Sequence, residues 1–422
     1  MISNDIYIFI QLHGEYIPAG ILQQSLVGRG FSFRYGNKYI QRPNALAIDP
    51  VSLPLSTEQF QSPQLFSVFR DASPDRWGRR LLSIMAQKHY GEMTELEILT
   101  ALHSIHRMGA LAFGKSPDSP CSMAEWAQDS TQDDLLFMPM EKLEDVIAVL
   151  RKVDALEDES LVLALQESLP KDVFLRALAS SLSLGGARPK AFVRHQDSIW
   201  IAKFSKHGDP WNEPRIEYAT MLLAERCGIT IPELDLCSFP AGDVLLLRRF
   251  DRQHLPKKGT HPPKEQARHV ISGFTLNRLD EDGDWGSYQD MAITARRYGA
   301  FCQEELFRRM VFNMLCSNRD DHPRNHAFFV KQNGLEITPA YDIVPCALNI
   351  RPLELALRCG NQGRVATIEN MLSNTAPFGL STERAEAIIM DMRSITAHWK
   401  AHYHEHGVNE KDLAMLEARL SV

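Results

Sequence analysis

The sequence predicts an α+β fold, in which a β-rich N-terminal unit precedes a larger, mainly helical unit. Residues 6–45 alternate short apolar runs with turn signals such as His13-Gly14, a pattern typical of β-hairpins. Residues 288–317, by contrast, show the apolar spacing of helices, and most of the chain beyond the loop that follows is also expected to be helical. A chain of 422 residues is long enough for two or more separate cores.

An acidic segment divides the chain. Residues 118–160 carry twelve acidic and three basic side chains, whereas the net charge of the whole chain is only −7. We therefore expect an N-terminal unit at residues 1–115, an acidic and partly helical linker at 116–169, and a second unit at 170–422. Because the chain lacks a long basic run, its composition does not favour direct binding of nucleic acid.

The sequence lacks the features of membrane or exported proteins. Uninterrupted apolar runs fall well short of the ~20 residues that a membrane helix needs, and the N-terminus lacks a basic start. The seven cysteines are scattered without a Cys-x-x-Cys pair, so neither a disulfide framework nor a zinc site is indicated. We expect a cytoplasmic protein without a membrane partner.

Further elements are predicted in the N-terminal unit. Phe31–Tyr35 and residues 38–40 are expected to pair as strands around a turn at Gly36-Asn37. Ser73 and Pro74 predict the start of a helix that Ser73 caps. Three arginines are expected on the solvated face of this helix: Arg76, Arg79 and Arg80.

Two regions of the C-terminal half give weaker signals. Residues 253–290 are polar and are expected to form a loop region. Near the C-terminus His398, His402 and His406 recur at the spacing of one helical face. A metal site is one interpretation, but an exposed face is favoured because no carboxylate partner is evident.

The most informative stretch is residues 310–342. An apolar helical run leads into a polar loop, and two short apolar runs separated by Asn333-Gly334 then predict a β-hairpin. This arrangement would bring Asp320, Asn325 and Asp342 to one end of a small sheet. An acid, an amide five residues later and a second acid after a hairpin are the groups that phosphoryl transfer needs, since one carboxylate orients the attacking hydroxyl and the other two groups hold Mg²⁺. Protein kinases have the same five-residue spacing between catalytic Asp and Asn.

Two alternatives stay open if this loop is considered alone. Asp, Asn and His are common in ordinary loops, because they satisfy backbone donors locally. A metal hydrolase is the other alternative, since the loop offers four carboxylate or imidazole ligands: Asp320, Asp321, His322 and His326.

Residues upstream of the loop favour the kinase interpretation. The small residues Gly185-Gly186 would let a backbone approach phosphates closely. Lys203 lies inside an apolar strand, where an unpaired ammonium is costly to bury, and Glu217 on the next helix is a suitable partner. Phe250 follows a buried-type strand, at the place where a kinase would hinge onto adenine. This is the order of functional groups along a kinase, and a metal hydrolase does not account for it.

Several stretches resemble the HipA family, serine/threonine kinases that serve as toxins of bacterial toxin–antitoxin pairs. In the second unit these are SLGGARPK at 183–190, FDR at 250–252, NRDDHPRN at 318–325 and TPAYD at 338–342. In the N-terminal unit they are PDRWGRR at 74–80 and GALAF at 109–113. The resemblance implies a β-rich N-terminal subdomain and a protein-kinase-like, mainly helical catalytic domain.

The resemblance also implies roles for individual residues. Asp320 would be the catalytic base, with His322 beside it in the catalytic group, and Asn325 and Asp342 would bind Mg²⁺. Ser183 would be a regulatory autophosphorylation site. The ATP site would be formed by five residues: Gly185, Gly186, Lys203, Glu217 and Phe250.

Members of this family act with a small DNA-binding antitoxin, HipB-like in type, and phosphorylate proteins of translation, typically an aminoacyl-tRNA synthetase. The resemblance therefore implies a kinase that uses ATP and Mg²⁺ and that contacts DNA only through its antitoxin. A catalytically silent member that works as a binding or co-repressor module is the alternative. The sequence retains the acids and the amide of the reaction, which favours the enzyme.

Overall fold

The structure of the protein is a computed structural model that describes residues 5–25, 30–86, 92–120, 138–156, 177–178, 181, 188–196, 198–254, 265–281, 283–348 and 351–420. Within this part of the chain, the strands form two five-stranded sheets, a three-stranded sheet and a two-stranded sheet. Most of the longer helices follow residue 212. The predicted α+β fold is confirmed.

The N-terminal sheet is antiparallel and has the strand order β4-β3-β2-β1-β5. Its strands are β1 Asp5–Leu12, β2 Glu15–Gln24, β3 Phe31–Tyr35, β4 Gln59–Ser62 and β5 Leu111–Gly114. The predicted hairpin of β1 and β2 is confirmed, and both of its turn residues, His13 and Gly14, have positive φ, as tight hairpin turns favour. Ile8, Leu22 and Phe33 of this sheet are fully buried and belong to one hydrophobic core.

The described residues of the N-terminal unit form four α-helices: α1 Asn37–Ile40, α2 Ser67–Asp71, α3 Arg76–Ala86 and α4 Glu95–Ala101. The prediction of a strand at residues 38–40 was wrong, because these residues belong to α1. Tyr39 is buried there, stacked on Tyr35 with ring centroids 6.0 Å apart, and its hydroxyl donates to the Leu46 carbonyl at 2.7 Å. These tertiary contacts outweigh the local β preference of a three-residue run.

The predicted cap of α3 was also wrong. This helix begins at Arg76, and the carboxylate that accepts from the backbone N–H of Gly78, at 2.7 Å, belongs to Asp75. The Ser73 hydroxyl instead donates to the Phe69 carbonyl in the preceding helix, α2. The cap therefore lies two residues later than the sequence suggested.

The arginines of α3 are only partly solvated. Arg76 is exposed as predicted, but Arg79 pairs with Glu95 at 3.2 Å, and Arg80 donates to the Val153 carbonyl at 3.0 Å. The prediction of one solvated face thus holds for Arg76 alone. Arg80 ties α3 to a helix of the next segment of the chain.

The second sheet has the order β6-β7-β8-β10-β9, with β6 parallel to β7 and the other neighbours antiparallel. Its strands are β6 Met138–Pro139, β7 Lys190–His195, β8 Ser198–Phe204, β9 Leu234–Phe239 and β10 Gly242–Arg248. The helices α5 Leu143–Ala155 and α6 Glu213–Arg226 accompany it. Trp77 and Leu81 of α3 share a hydrophobic core with α5 and this sheet, so the N-terminal helices pack on the second sheet.

The remainder of the chain is built from short strands and helices. The strands are β11 Arg252–His254, β12 Glu265–Ala267, β13 Val270–Ser272, β14 Ala327–Lys331 and β15 Gly334–Ile337. The helices are α7 Gly273–Leu276, α8 Tyr288–Arg297, α9 Gln303–Leu315, α10 Ile368–Leu372, α11 Thr382–Thr396, α12 Trp399–Glu405 and α13 Glu410–Glu417. The predicted hairpin of β14 and β15 is confirmed. The prediction of a loop region at 253–290 was wrong for the described residues, since β11 to β13 and α7 lie among them; residues 255–264 and 282 lie outside the described part of the chain. The described residues between β15 and α10 are not helical, which limits the predicted helical character of that region.

The predicted exposed face of histidines near the C-terminus is only partly present, since His398 is exposed but His406 is half-buried. His402 is buried, its Nε2–H donates to the Ala219 carbonyl at 2.8 Å, and its Nδ1 accepts from the Arg226 guanidinium at 3.2 Å. Glu405 and His406 lie close to His402. Because both ring nitrogens of His402 are engaged, the cluster is a packing contact between α12 and α6 and is not built as a metal site.

Every helix in the described part of the chain is too short or too polar to span a lipid bilayer.

A buried ionic network joins the two units directly after β10. The Asp251 carboxylate accepts from Arg249, Arg252 and the backbone N–H of Gly109, each at 2.7 Å. Both arginines also donate to the carbonyl of Arg107 in the N-terminal unit. Burial opposes the charge of Asp251, but the two guanidinium groups outweigh it and lower its pKa to about 2. A fully paired network of this kind fixes the end of β10 against the N-terminal unit.

His269 provides a test of the packing between the units. Its Nε2–H donates to the Ile48 carbonyl at 2.7 Å, and burial lowers its pKa from the ordinary value of 6.5 to about 4 although this hydrogen bond opposes the change. His269 therefore binds a proton more readily in the unfolded chain than in the folded chain. As a result, the folded protein loses stability as pH falls from about 6.5 to about 4. This group should account for about 3 kcal/mol of the loss, since each factor of ten in proton affinity is worth about 1.4 kcal/mol.

We expect that His269→Gln, which keeps a donor for Ile48 but cannot titrate, loses less stability than the parent protein across this pH range. The free energy of unfolding should be measured by urea denaturation of both proteins between pH 7 and pH 4. His326, also buried with a lowered pKa, is common to both proteins and cancels in the comparison. Equal pH dependence of the two proteins would contradict the prediction.

Candidate active site

A cleft of about 1070 Å³ lies between the second sheet and the helical part of the chain, and residues from 70–80 of the N-terminal unit form one of its walls. Six predicted site residues line it: Lys203, Phe250, Asp320, His322, Asn325 and Asp342. Glu217 lies directly behind Lys203. Ser183, Gly185 and Gly186 lie outside the described residues.

Lys203 connects three elements at the centre of the cleft. It lies on β8, and its Nζ donates to Oε1 of Glu217 on α6 at 2.6 Å and also contacts the carboxylate of Asp342. Burial disfavours the charged ammonium, but Asp342 and Glu217 outweigh burial, and the pKa of Lys203 is raised. The ammonium is therefore permanently charged and held in place by two carboxylates.

The loop that carries Asp320 is fastened to the end of α9. Asn318 is buried, its Nδ2 donates to the Asn313 side chain at 3.0 Å, and its Oδ1 accepts from the backbone N–H of Asp320 at 3.1 Å. Ser317 has a φ of 56°, so the chain turns sharply after the helix. Sequence reasoning assigned no role to Asn318, although an asparagine just past a buried helix is a signal for such a side-chain bridge.

Asp320 and Asn325 are linked across the loop. Pro323–Asn325 form a 3₁₀ turn, and Nδ2 of Asn325 donates to the Asp320 carbonyl at 2.8 Å. This bond engages the amide nitrogen of Asn325 and leaves its Oδ1 as the remaining polar atom. Burial raises the pKa of Asp320, His322 opposes the rise and Asp342 adds to it, and the net direction is upward.

Asp342 follows the β14–β15 hairpin in a left-handed conformation with a φ of 56°. For a residue other than glycine this conformation costs about 1–3 kcal/mol and persists where the surroundings impose it. Here the Tyr341 hydroxyl donates to the Arg324 carbonyl at 2.6 Å, and the Tyr341 ring packs 5.5 Å from that of Phe250. Burial opposes the charge of Asp342, but Lys203 and then Lys190 outweigh it, and its pKa is lowered.

The other ligands of the metal-hydrolase alternative point away from the cleft. Asp321 accepts from the Tyr288 hydroxyl and from the Ala356 N–H, each at 2.6 Å, and burial raises its pKa to about 6. His326 packs on the Tyr288 ring and burial lowers its pKa to about 3. Asp320 and His322 line the cleft, whereas Asp321 and His326 belong to the core. The four residues therefore do not converge on one ion.

Sequence reasoning missed a second lysine in the cleft. Lys190 lies on β7 directly opposite Lys203 on β8, and its Nζ pairs with the Asp75 carboxylate at 3.0 Å. The side chains of Lys190 and Asp75 are only 4% and 9% exposed. A signal existed, because Lys190 opens an apolar strand just as Lys203 lies within one. Its partner is 115 residues away, and local patterns do not reveal such a pair.

Family models match both units of the chain. The HipA-like C-terminal domain matches residues 182–399, and the HipA N-terminal domain matches residues 11–114. The chain belongs to the HipA family. The boundaries of these two matches lie on either side of the acidic segment.

Individual relatives cover the chain to different extents. The serine/threonine-protein kinase toxin HipA of Shewanella oneidensis is 27% identical over 190 residues, 39% of this chain and 43% of that protein. A putative kinase of Haemophilus influenzae is 28% identical over 189 residues, 39% of this chain and 52% of that protein. These matches span about half the length of each relative or less. The solved structure of Shewanella oneidensis HipA with HipB and operator DNA covers 97% of this chain and 94% of that chain, with a TM-score of 0.69 at 16% identity, which shows a shared HipA fold.

Replacing Asn318 should loosen the loop that carries Asp320. We expect Asn318→Ala to lower the free energy of unfolding by about 1–3 kcal/mol, because it leaves the buried side-chain oxygen of Asn313 and the backbone N–H of Asp320 without this partner. Chemical denaturation measures the loss. Gln61→Ala, on the exposed edge strand β4, is the control and should change stability by no more than about 0.5 kcal/mol. Equal stabilities of the two variants would contradict this account of the loop.

Proposed function

We propose that the chain is a serine/threonine protein kinase that uses ATP and Mg²⁺. The observation that carries the proposal is the meeting of the Lys203–Glu217 pair, Asp342, Asp320 and Asn325 at one cleft. Kinase chemistry needs a fixed lysine for phosphates, oxygen ligands for the metal and a carboxylate for the attacking hydroxyl. The presence of all these groups favours an enzyme over a silent binding module.

The residues of the cleft fit a magnesium ion. Mg²⁺ prefers oxygen ligands, and Asp342 offers an ionised carboxylate, while Asn325 offers Oδ1 because its amide nitrogen is engaged by the Asp320 carbonyl. When bound, Mg²⁺ neutralises charge on the phosphates of ATP. Lys203 and Lys190 supply further positive charge on the same face of the second sheet.

Asp320 acts as the base in the proposed reaction. The hydroxyl oxygen of a serine or threonine forms a bond to the γ-phosphorus, the bond from that phosphorus to the bridging oxygen breaks, and ADP leaves. Asp320 orients the hydroxyl and accepts its proton. The raised pKa of Asp320 suits this role, because a base works best when its pKa approaches the operating pH. His322 lies beside it, packed against Trp285 at the cleft rim, and Phe250 lines the part of the cleft proposed for adenine.

The partners are proposed from the family. The Shewanella oneidensis relative is solved with HipB and operator DNA, which supports a HipB-like antitoxin as partner of this chain. A net charge of −7 offers little counterion release, so DNA contact is proposed to be indirect. An aminoacyl-tRNA synthetase in the cytoplasm is the proposed substrate. The family matches also support units at 1–115 and 170–422 joined by the linker at 116–169.

The first test concerns Asp320. We expect Asp320→Asn to fold and to bind ATP nearly as the parent does, but to transfer phosphate at least about 10²-fold more slowly, the scale lost with a general base. Purified protein, labelled ATP and a cell extract provide the measurement, followed by identification of the labelled protein. Asp342→Ala is the matched variant, and it should weaken Mg²⁺-dependent ATP binding itself, because it removes a metal ligand. Transfer at the parent rate by both variants would overturn the kinase proposal.

The second test concerns Ser183. We propose that the stretch around Ser183 folds over the nucleotide. A phosphate on Ser183 would add about −1.5 to −2 charges there, and it would compete with ATP for backbone donors or draw the stretch toward Arg188 or Lys190. We expect autophosphorylation at Ser183 to switch the enzyme off. Peptide mass spectrometry after incubation with ATP and Mg²⁺ should find phosphate at Ser183 in the parent and none in Asp320→Asn. An unmodified Ser183 in a demonstrably active enzyme would remove this switch.

A further inference from the structure

One wall of the cleft comes from the N-terminal unit, and it carries a buried carboxylate. Asp75 lies just before α3, its Oδ1 accepts from the backbone N–H of Gly78 at 2.7 Å, and its Oδ2 accepts from Nζ of Lys190 at 3.0 Å. Both oxygens are thus engaged by groups of fixed position. The first bond anchors Asp75 to its helix, and the second reaches across to the second sheet.

The segment that carries Asp75 is also anchored on the opposite side of the cleft. Asp71, four residues earlier, accepts from the Ser272 N–H and hydroxyl, each at 2.8 Å, and from the Thr275 hydroxyl at 2.6 Å. These groups belong to the start of α7, which lies against the loop of Asn325. The wall is therefore fixed both to the sheet with the lysines and to the part of the chain that holds the catalytic loop.

The charges around Lys190 explain what this wall does. Lys190 and Lys203 are paired residues of neighbouring antiparallel strands, and such side chains have Cβ atoms about 4.5–5.5 Å apart. Lys203 already contacts Asp342. Lys190 and Asp342 both line this cleft, so the two side chains face the same space. Asp75 supplies Lys190 with a carboxylate of its own.

We propose that Asp75 is a positioning residue that keeps Lys190 from binding Asp342, and that the N-terminal unit thereby leaves Asp342 available to Mg²⁺. This inference rests on the proposed function of Asp342 as a metal ligand. A buried ammonium that loses its carboxylate partner is costly, so it turns toward another carboxylate within reach. Without Asp75, Lys190 joins Lys203 at Asp342, and two cations compete there with the metal.

The experiment measures nucleotide binding by the full chain, without phosphoryl transfer. Isothermal titration calorimetry gives the affinity for ADP at increasing Mg²⁺ concentration, and hence the Mg²⁺ concentration that produces half of the gain in affinity. We expect Asp75→Asn to raise this concentration about tenfold, the low end of the loss seen when the partner of a metal ligand is removed. Lys190→Met should weaken ADP binding and leave the Mg²⁺ requirement at the parent value.

The double variant Asp75→Asn/Lys190→Met separates positioning from a general structural role. With Lys190 absent, loss of Asp75 should leave the Mg²⁺ requirement equal to that of Lys190→Met. This comparison also tests the proposal if Asp75→Asn does not fold. The double variant contains neither the buried carboxylate nor the buried ammonium, so no unpaired charge destabilises it. A higher Mg²⁺ requirement in the double variant than in Lys190→Met would overturn the proposal.

Asp49→Ala is the control for lost stability, because it removes a buried hydrogen-bond acceptor. Asp49 is a buried carboxylate of the same unit, which accepts from the Val51 N–H at 2.8 Å and does not line the cleft. This variant should melt at a lower temperature than the parent and keep the parent Mg²⁺ requirement. If Asp75→Asn has the same Mg²⁺ requirement as the parent, the proposed role of Asp75 is wrong, but the proposed kinase function is not affected. Absence of Mg²⁺-dependent ADP binding by the parent chain would overturn the kinase proposal and the role of Asp75 with it.

Discussion

The buried ammonium of Lys203 is the interaction on which the candidate site depends. Its two carboxylate partners come from distant parts of the chain, Glu217 from α6 and Asp342 from the end of a hairpin. An unpaired ammonium at this depth would be costly, so the pairs oblige sheet, helix and hairpin to meet. The left-handed backbone of Asp342 persists because these contacts hold it. The same charges that stabilise the meeting point are the ones that the proposed function assigns to phosphates and a metal.

The parts of this site that depend on neighbouring residues can be predicted from the sequence. The hairpin after the catalytic loop is marked by Asn333-Gly334, and the structure gives Gly334 a φ of 126°, which few other residues adopt. Lys203 is conspicuous because it interrupts an apolar strand. Asp320 and Asn325 lie in the same loop, so their spacing can be seen directly in the sequence. In each case the feature is determined by a few neighbouring residues, so it can be predicted from a short stretch of sequence.

What the sequence did not predict depends on partners far apart in the chain. Asp75 and Lys190 are 115 residues apart, and Asp251 and Gly109 are 142 residues apart. Lys190 is marked by its place at the start of an apolar strand, but no local pattern identifies Asp75 as its partner. The strands β11 to β13 are three residues each, too short for an alternating pattern, and their pairing with distant segments defines them. Tyr39 shows the converse, since its contacts with Tyr35 and Leu46 override a local preference.

These long-range pairs change how the N-terminal unit is understood. The N-terminal unit contributes to the cleft itself, because its Asp75 lines the cleft and the backbone N–H of its Gly109 donates to Asp251 in the network that follows β10. The two contacts fall at opposite ends of the second sheet's cleft face, one at the lysines and one at the segment after β10 proposed to meet adenine. A displacement of the N-terminal unit would therefore disturb both ends of the proposed nucleotide site at once. Under the proposed function, a partner that binds this unit would act on phosphoryl transfer without entering the cleft, through buried charges that must stay paired.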